Sequence, residues 1–190
     1  MQYKTIKVEA SRSYNICIGA GLLENIGELV RPVTGDCRLA VLTDSNVDAL
    51  YGERMAACLA SAGFSVCKHI IPAGEASKNA ENLLAFLNFL AAEEFTRSDA
   101  VIAFGGGVVG DLGGLSASLY LRGIKFVQVP TTLLAAVDSS VGGKTAIDLP
   151  QGKNLVGAFW QPGLVLCDTD TLNTLEPSVF SDGCAEVIKY

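Results

Sequence analysis

The sequence carries a glycine-rich turn whose residue types and spacing could bind the phosphates of a nucleotide. The turn reads GGGVVGD over residues 105–111 and satisfies the pattern G-x-G-x-x-G through Gly105, Gly107 and Gly110. An apolar run at residues 100–104 precedes it, and a helical pattern follows it. Glycines let the backbone approach a pyrophosphate, and the N-terminus of a helix offers free N–H groups. The turn therefore predicts a nucleotide site, with a tight turn and close helix packing as the alternative.

The carboxylate best placed to bind a ribose comes before the glycine turn. A standard dinucleotide-binding fold has an acidic residue about 20 positions beyond its glycines. Residues 123–137 contain no acid and the next one is Asp138, whereas Asp44 directly follows the apolar run RLAVLT. This order argues against an ordinary Rossmann dehydrogenase and indicates a different NAD-binding fold.

A second glycine segment is similar to the end of an ATP-binding P-loop. It reads VGGKT over residues 141–145, and a complete P-loop has a further glycine five positions before the one at Gly143. Position 138 holds aspartate instead. The pattern is incomplete, which argues against an ATPase.

Cysteine and histidine usage argues against a transition-metal site made from this chain alone. His69 is the only histidine, and it lies in the apolar run VCKHIIP, where we expect a structural role. Six cysteines are scattered without a C-x-x-C pair, at positions 17, 37, 58, 67, 167 and 184. We expect these cysteines to be reduced and mostly buried.

The composition favours a globular protein that binds small molecules. The net charge is −6 over 190 residues, and the 14 lysines and arginines form no basic run. Nucleic acid is therefore not expected as a partner. The longest apolar stretch, residues 83–92, is too short to span a bilayer, and the N-terminus MQYKTIKVEAS does not resemble a signal peptide. We expect a soluble, cytoplasmic protein with no membrane partner.

Strand-like and helix-like segments alternate along most of the chain. Strands are expected at residues 3–8, 14–18, 38–43, 64–71, 100–104, 125–129 and 164–167. Helices are expected at residues 22–30, 47–62, 79–94, 109–121, 131–137 and 177–190. Continuous apolar strands between amphipathic helices predict an α/β fold with a mainly parallel, Rossmann-like sheet and helices on both faces.

The chain is expected to contain one domain and the beginning of another. Residues 1–176 would form an NAD-binding α/β domain. The last segment, residues 177–190, reads as a helix without a glycine or proline stop. We therefore expect it to be the truncated start of an α-helical domain that holds metal and substrate.

Four segments together resemble the 3-dehydroquinate synthase family. They read PAGEASK, GGGVVGDLGG, PTTLLAAVDSSVGGKTAID and GCAEVIKY, starting at positions 72, 105, 130 and 183. YLRG and GKNLVGAFWQP lie between them, and the matches keep their order from about Asp44 to the end of the chain. Other sugar phosphate cyclases, such as 2-deoxy-scyllo-inosose synthases, share much of this set of segments and are the nearest alternative.

The resemblance implies a specific reaction. The family converts 3-deoxy-D-arabino-heptulosonate 7-phosphate to 3-dehydroquinate and phosphate, with NAD and a divalent metal, zinc or cobalt. Transient oxidation of a substrate hydroxyl acidifies the neighbouring C–H, so that phosphate can be eliminated. The ketone is then reduced again, and the ring opens and closes by an aldol step. The resemblance leaves a homodimer open.

The resemblance also implies roles for individual residues. The cofactor-binding residues that it implies are Asp44, Asn46, Glu75, Lys78, Gly106, Gly107, Val108, Asp111, Thr131, Thr132, Lys144, Lys153, Thr171 and Thr174. The catalytic and substrate-binding residues that it implies are Arg122, Asp138, Lys144, Lys153, Asn154 and Lys189. Glu186, in AEVIK, would be the first metal ligand, and two histidines further along a complete enzyme would be the others. We therefore expect this chain to be an incomplete N-terminal fragment, inactive alone.

Two other functions compete with this interpretation. Iron-type alcohol and glycerol dehydrogenases share the architecture but usually show GGGS-x-x-D-x-A-K at the glycine turn. Here Val108 replaces the serine, and Leu112 and Gly113 follow Asp111 with no lysine after them. A non-catalytic nucleotide-binding module is the second alternative, and the presence of Glu186 argues against it.

Overall fold

The fold is built on a seven-stranded sheet with the strand order β1-β2-β9-β6-β5-β3-β4. A computed structural model describes residues 2–189. Within that range β1 pairs with β2 in antiparallel fashion, and all other pairs in this sheet are parallel. The strands are β1 (Lys4–Val8), β2 (Tyr14–Gly19), β3 (Arg38–Asp44), β4 (Ser65–Ile71), β5 (Ala100–Gly105), β6 (Lys125–Pro130) and β9 (Leu164–Asp168). The expected mainly parallel, Rossmann-like α/β fold is confirmed.

Helices cover both faces of this sheet. They are α1 (Ile26–Thr34), α2 (Ser45–Val47), α3 (Glu53–Ser61), α4 (Ala80–Ala92), α5 (Gly107–Leu119) and α6 (Pro177–Lys189). Local signals set several boundaries. The side chain of Asn79 accepts a hydrogen bond from the N–H of Asn82 at 2.9 Å and caps the start of α4. Gly63, with φ of +88°, follows the end of α3.

Two hydrophobic cores lie on opposite faces of the sheet because the side chains of each strand alternate between faces. In β3, Leu39 and Val41 belong to the core that α1 and α3 cover. Their neighbours Ala40 and Leu42 belong to the core under α4 and α5. All six residues of β5 are buried, which explains why that strand reads as a continuous apolar run.

The helix expected at residues 47–62 is interrupted. The structure has α2, then a π-helical turn at Asp48–Gly52, then α3. In this turn the side chain of Asp48 folds over Gly52, where a Cβ atom would overlap it. Asp48 also pairs with Lys68 of β4 at 2.6 Å. The sequence expectation of one regular helix was therefore wrong, since a tertiary ion pair accompanies the wider turn.

Two further helix boundaries differ from expectation. α5 begins at Gly107 rather than at residue 109, and Leu119 is its last residue. Leu121 and Arg122 then adopt positive φ values of 49° and 66°, so the chain turns sharply toward β6. The helix expected to begin at residue 131 is short and ends in a π-helical turn, Ala135–Ser139.

A hairpin that the sequence expectations lacked lies beside α5. Its strands are β7 (Lys144–Leu149) and β8 (Gly152–Phe159), which pair in antiparallel fashion. β8 is mostly exposed, and its apolar residues, at positions 155, 156, 158 and 159, do not alternate with polar ones as they would in a half-buried strand. Pro150 and Gln151 form the two-residue connection, and this turn signal was the indication available in the sequence.

The remaining expectations concern α6, the cysteines and the membrane. α6 forms where a helix was expected, and Gly183 packs against Leu133 with no room for a Cβ atom. The six cysteines are free thiols, but only Cys17 and Cys167 are buried, so the expectation that most of them would be buried was wrong. Within residues 2–189, no helix has the length and apolar character needed to cross a bilayer.

Candidate nucleotide and substrate site

A first cavity, the nucleotide cavity, opens at the carboxyl ends of the parallel strands and has a volume of about 650 Å³. Asp44 follows β3, Gly106 follows β5 and Thr131 follows β6, so three loops converge there. Ligands in open α/β sheets bind at this edge. The predicted cofactor-binding residues that line the cavity are Asp44, Asn46, Gly106, Val108, Thr131, Thr132, Thr171 and Thr174.

The glycine turn presents the N-terminus of α5 to this cavity. Gly106 precedes the first helical residue, and no side chain caps the helix. The N–H groups of the first helical turn therefore have no acceptor within the helix. A Cβ atom on Gly106 would lie 3.3 Å from Cγ2 of Thr132, and one on Gly107 would lie 3.1 Å from Oγ of Ser139. The crowding leaves the backbone itself as the surface that a ligand would meet.

Other glycines of the same segment serve packing. A Cβ atom on Gly110 would lie 2.6 Å from Oε1 of Gln128, and one on Gly113 would lie 2.8 Å from Cβ of Ala103. Both of these side chains belong to the sheet beneath α5. Close helix packing, the alternative explanation of the motif, therefore accounts for its second half, while Gly106 borders the cavity.

Asp44 caps a helix at the mouth of the nucleotide cavity. Its Oδ1 accepts hydrogen bonds from the N–H groups of Asn46 at 2.9 Å and Val47 at 3.0 Å. These contacts fix the carboxylate at the end of β3. The hydroxyl of Ser45 accepts a hydrogen bond from the N–H of Ala73 at 3.2 Å and ties the two neighbouring loops together.

Hydroxyl groups line the far side of this cavity. Thr131 is 3% exposed, and its Oγ1 has no hydrogen-bond partner among the described residues. A buried hydroxyl without a hydrogen bond destabilises the folded protein unless water or a ligand forms that bond. Tyr51, which the sequence interpretation missed, also lines the cavity, and its hydroxyl lies 2.6 Å from Oγ1 of Thr174. Its ring contacts Phe104 edge-on, with ring centroids 6.3 Å apart.

A second cavity, the substrate cavity, lies between α5, the π-helical turn at Ala135–Ser139 and the β7–β8 hairpin. Its volume is about 810 Å³. Four predicted site residues line it, namely Asp111, Asp138, Lys144 and Asn154. The structure therefore brings a cation, two carboxylates and an amide to one opening, a set of groups that could orient a polar ligand.

Lys78 lies beneath the wall of the substrate cavity and is 6% exposed. Its ammonium nitrogen contacts Oδ2 of Asp111 at 2.5 Å and Oδ1 of Asn154 at 2.5 Å. Burial raises the pKa of Asp111, whereas the hydrogen bond and charge of Lys78 oppose that rise. Lys78 thus joins the loop after β4 to α5 and to β8. Its predicted contact with NAD stays a prediction, since protein groups engage its ammonium.

Further contacts fasten the hairpin to the loop after β4. Lys153 contacts Oε1 of Glu75 at 2.8 Å, and this contact raises the pKa of Lys153. Asn154 has a positive φ of 58°, and its N–H donates to Oδ1 of Asp148 at 2.7 Å. The N–H of Asp148 donates to the carbonyl of Lys78 at 2.9 Å. Among the described residues that line the two cavities, neither Glu75 nor Lys153 is included.

Three further predicted site residues line neither cavity. Glu186 and Lys189 are on α6, where their side chains contact each other at 2.6 Å. Arg122 precedes β6 at the amino edge of the sheet, about 20 Å along α5 from the glycine turn. Residues 2–189 contain no cluster of three His, Cys, Asp or Glu residues that could hold a metal ion. The roles implied for these three residues remain predictions.

The chain matches the family model described as 3-dehydroquinate synthase N-terminal over residues 68–182. It is 55% identical over 180 residues to the 3-dehydroquinate synthase of Caulobacter vibrioides (strain NA1000 / CB15N), covering 94% of this chain and 49% of the relative. The 3-dehydroquinate synthase of Symbiobacterium thermophilum is 53% identical over 178 residues, covering 93% of this chain and 50% of the relative. The chain spans about half the length of these curated relatives.

Solved structures of related enzymes share this fold closely. A 2-deoxy-scyllo-inosose synthase complexed with carbaglucose-6-phosphate, NAD+ and Co2+ superposes with a TM-score of 0.91 at 30% identity, over 98% of this chain and 50% of its own. The 2-epi-5-epi-valiolone synthase of Streptomyces hygroscopicus subsp. jinggangensis 5008, with NAD+ and Zn2+ bound, gives 0.87 at 32% identity, over 97% and 51%. A probable glycerol dehydrogenase of Sinorhizobium meliloti 1021, at 16% identity and a TM-score of 0.65, shares the fold alone. Because the family model matches more than half of the residues of this chain, the chain belongs to the 3-dehydroquinate synthase family.

Proposed function

We propose that this chain supplies the NAD-binding half of the active site of a 3-dehydroquinate synthase. The reaction would convert 3-deoxy-D-arabino-heptulosonate 7-phosphate to 3-dehydroquinate and phosphate. One observation carries the proposal: loops from β3, β5 and β6 converge on a nucleotide cavity, and a cavity lined by Asp138 and Lys144 lies across α5 from it. The similarity to curated 3-dehydroquinate synthases supports the choice of reaction.

The nucleotide cavity fits NAD on several grounds. The uncapped start of α5 suits a pyrophosphate. The unsatisfied hydroxyl of Thr131 needs a polar partner, and the carboxylate of Asp44 suits ribose hydroxyls. Within the described part of the chain, no lysine or arginine lines the cavity, which favours NAD over its 2′-phosphorylated form. When bound, NAD would accept a hydride from a substrate hydroxyl and later return it.

The substrate cavity would bind the anionic sugar phosphate. Lys144 and Lys153 would attract its phosphate and carboxylate groups, since anions in a closed site need cationic partners. Asn154, held by Lys78 and Asp148, would donate a hydrogen bond from its amide group. Asp138 would orient a substrate hydroxyl toward the nucleotide cavity. The walls of α5 and the hairpin would exclude water on this side.

Glu186 would contribute one carboxylate to a divalent metal, for which we propose zinc or cobalt. Carboxylate oxygen is an accepted ligand of zinc, and a catalytic site normally has three protein ligands. Among residues 2–189, Glu186 therefore supplies at most a part of such a site. The metal would stabilise negative charge on the substrate oxygen that loses hydride. The six free thiols suit the reducing cytoplasm, which we propose as the location.

A fusion protein tests the reaction directly. Residues 1–190 would be joined to the second half of the Caulobacter vibrioides relative, and phosphate release from 3-deoxy-D-arabino-heptulosonate 7-phosphate would be measured. We expect release that requires NAD and a divalent metal, and that Lys144→Met or Glu186→Ala abolishes. A fusion that releases phosphate faster from glucose 6-phosphate would indicate a 2-deoxy-scyllo-inosose synthase instead. A folded fusion that binds NAD and acts on neither compound would overturn the proposal.

A further inference from the structure

Distant parts of the chain hold the loop between the π-helical turn and β7. Gly142 and Gly143 have positive φ values of 90° and 69°. The N–H of Gly142 donates to the hydroxyl oxygen of Tyr14 at 3.1 Å, and its carbonyl accepts from Nε2 of Gln161 at 3.1 Å. The carbonyl of Gly143 accepts from the N–H of Trp160 at 2.7 Å. Both left-handed residues are thus tied to neighbouring segments.

Tyr14 makes its contact from the other end of the sequence. It begins β2, 128 positions before Gly142, and is 4% exposed. Its ring belongs to a small apolar cluster with which Ala136 and Val141 pack. The ring therefore packs against this part of the chain, while the hydroxyl oxygen accepts a hydrogen bond from the N–H of Gly142. Val141 and Gly142 line the substrate cavity, whereas Tyr14 does not.

We propose that Tyr14 is a positioning residue for anion binding in the substrate cavity. The hydroxyl fixes the peptide between Val141 and Gly142, two residues before Lys144, and so sets the direction in which the Lys144 side chain leaves the backbone. Removing the hydroxyl takes away one of the three hydrogen bonds that hold the left-handed Gly142 and Gly143, and the ammonium group of Lys144 is then spread over more positions. The inference rests on the proposed function, because it requires Lys144 to bind an anion of the substrate.

Tyr14→Phe removes the hydroxyl and keeps the ring, and orthophosphate serves as the probe. Titrations of this chain by NMR would compare the wild type, Tyr14→Phe, Lys144→Met and a matched control, Tyr120→Phe. The hydroxyl of Tyr120 donates to backbone carbonyls of Leu90 and Phe95 at 3.1 and 2.9 Å, away from both cavities. We expect Tyr14→Phe to weaken phosphate binding by about three- to tenfold, the effect of one hydrogen bond. Its NAD affinity should stay at the wild-type level.

The outcomes separate this inference from the proposed function. If Lys144→Met weakens phosphate binding and Tyr14→Phe does not, the positioning role is wrong and the proposed function stands. If the wild type and Lys144→Met bind phosphate equally, the proposed anion site fails and the inference fails with it. If Tyr14→Phe and Tyr120→Phe lower phosphate and NAD affinity alike, the role of Tyr14 is merely structural, which also overturns the inference.

Amide exchange in the wild-type protein gives an independent check that needs no variant. The N–H of Gly142 lies in an exposed residue, yet the hydrogen bond to Tyr14 should slow its exchange with solvent. We expect protection well above that of an unstructured glycine. Exchange at the unprotected rate would show that the hydrogen bond does not persist in solution and would contradict the positioning role.

Discussion

The carboxylate of Asp44 caps a helix, and we propose that it also binds a ligand. Its Oδ1 caps α2 by accepting two backbone N–H groups, and this accounts for its place at the end of β3. The proposal assigns the rest of the carboxylate to the ribose of NAD. The sequence predicted the position from an acid that follows an apolar run, but a helix cap has the same signature. The two roles separate in a variant that keeps the cap and loses the charge.

Asp44→Asn is that variant, because asparagine retains an oxygen that can cap the helix. We expect NAD affinity to fall about tenfold, since a charged acceptor binds a hydroxyl more strongly than a neutral one. The unfolding midpoint should change little. Calorimetric titration and thermal unfolding measure both, with Asp36→Asn as the control for an exposed acid outside the cavity. Unchanged NAD affinity in Asp44→Asn would assign Asp44 to capping alone.

The ion pair between Lys78 and Asp111 should stabilise the folded chain. Removing the cation leaves a buried carboxylate unpaired, so Lys78→Met should lower the free energy of unfolding by about 3–5 kcal/mol. Asp111→Asn should also destabilise, and the double variant should lose less than the sum of the two. Urea unfolding of the four proteins gives the coupling energy. The exposed pair Lys7–Glu9 is the control, for which we expect little or no coupling. Additive effects at Lys78 and Asp111 would contradict this account.

At the scale of elements, α5 is the part that both cavities share. Its glycines let it lie against the sheet on one side and the β7–β8 hairpin on the other, so its start faces one cavity and Asp111 faces the other. The sequence motif predicted the phosphate turn. It could not separate the glycines that border a ligand from those that permit packing, because both kinds satisfy one pattern.

Gly114→Ala tests the packing role. Its Cβ atom would overlap Cγ2 of Thr145 in β7 and lie 3.0 Å from Cε1 of Phe126. We expect a loss of about 1–3 kcal/mol in the free energy of unfolding, which is usual for overpacking. Gly152→Ala is the matched control, since its Cβ atom would meet Leu155 at an ordinary 3.4 Å. Equal stability of the two variants in urea would show that α5 and the hairpin do not pack as described.

The contact between β4 and α4 should respond to pH through His69. Its ring packs against both Phe86 and Phe89, with centroids 5.4 and 5.1 Å away, and burial lowers its pKa from 6.5. The unfolded chain therefore takes up the proton more readily than the folded one. Stability from neutral His69 is complete above pH 6.5 and is lost as the pH falls through the lowered value.

The measurement is urea unfolding of the wild type and His69→Leu at several pH values. Leucine removes the ring contacts at every pH. The test therefore compares how the free energy of unfolding changes with pH in the two proteins, and not its absolute value. Between pH 7.5 and 5 the wild type should lose more stability than His69→Leu, because both share every other titrating group. Parallel pH profiles would show that the folded protein does not resist protonation of His69.

Secondary structure was predictable where hydrophobic pattern and burial agree. β3 and β5 are buried on both faces and read as continuous apolar runs. β8 is largely exposed, and its apolar residues do not alternate with polar ones, so the hydrophobic pattern does not identify it as a strand. In the π-helical turn at Asp48–Gly52, Asp48 forms an ion pair with Lys68, which is distant in sequence. Such tertiary contacts are invisible to a local pattern.

At the scale of the whole molecule, two separate cavities lie on either side of the start of α5. Most of the site residues that the family resemblance implied line one of them, since three of the four motif segments follow strands that end at the same edge of the sheet. Tyr14 and Tyr51 were not predictable in this way. Each contributes a hydroxyl from an element that carries no motif, and only the folded chain brings it to the site.

The central claim is that this chain binds NAD at the glycine turn, and calorimetric titration of residues 1–190 with NAD tests it most directly. Gly107→Val places a branched side chain where a Cβ atom already lies 3.1 Å from Oγ of Ser139. Ala60→Val, on the exposed surface of α3, is the control for an added valine. We expect one NAD per chain for the wild type and Ala60→Val, and affinity at least about tenfold weaker for Gly107→Val. Equal binding by all three proteins, or no binding by the folded wild type, would contradict the account.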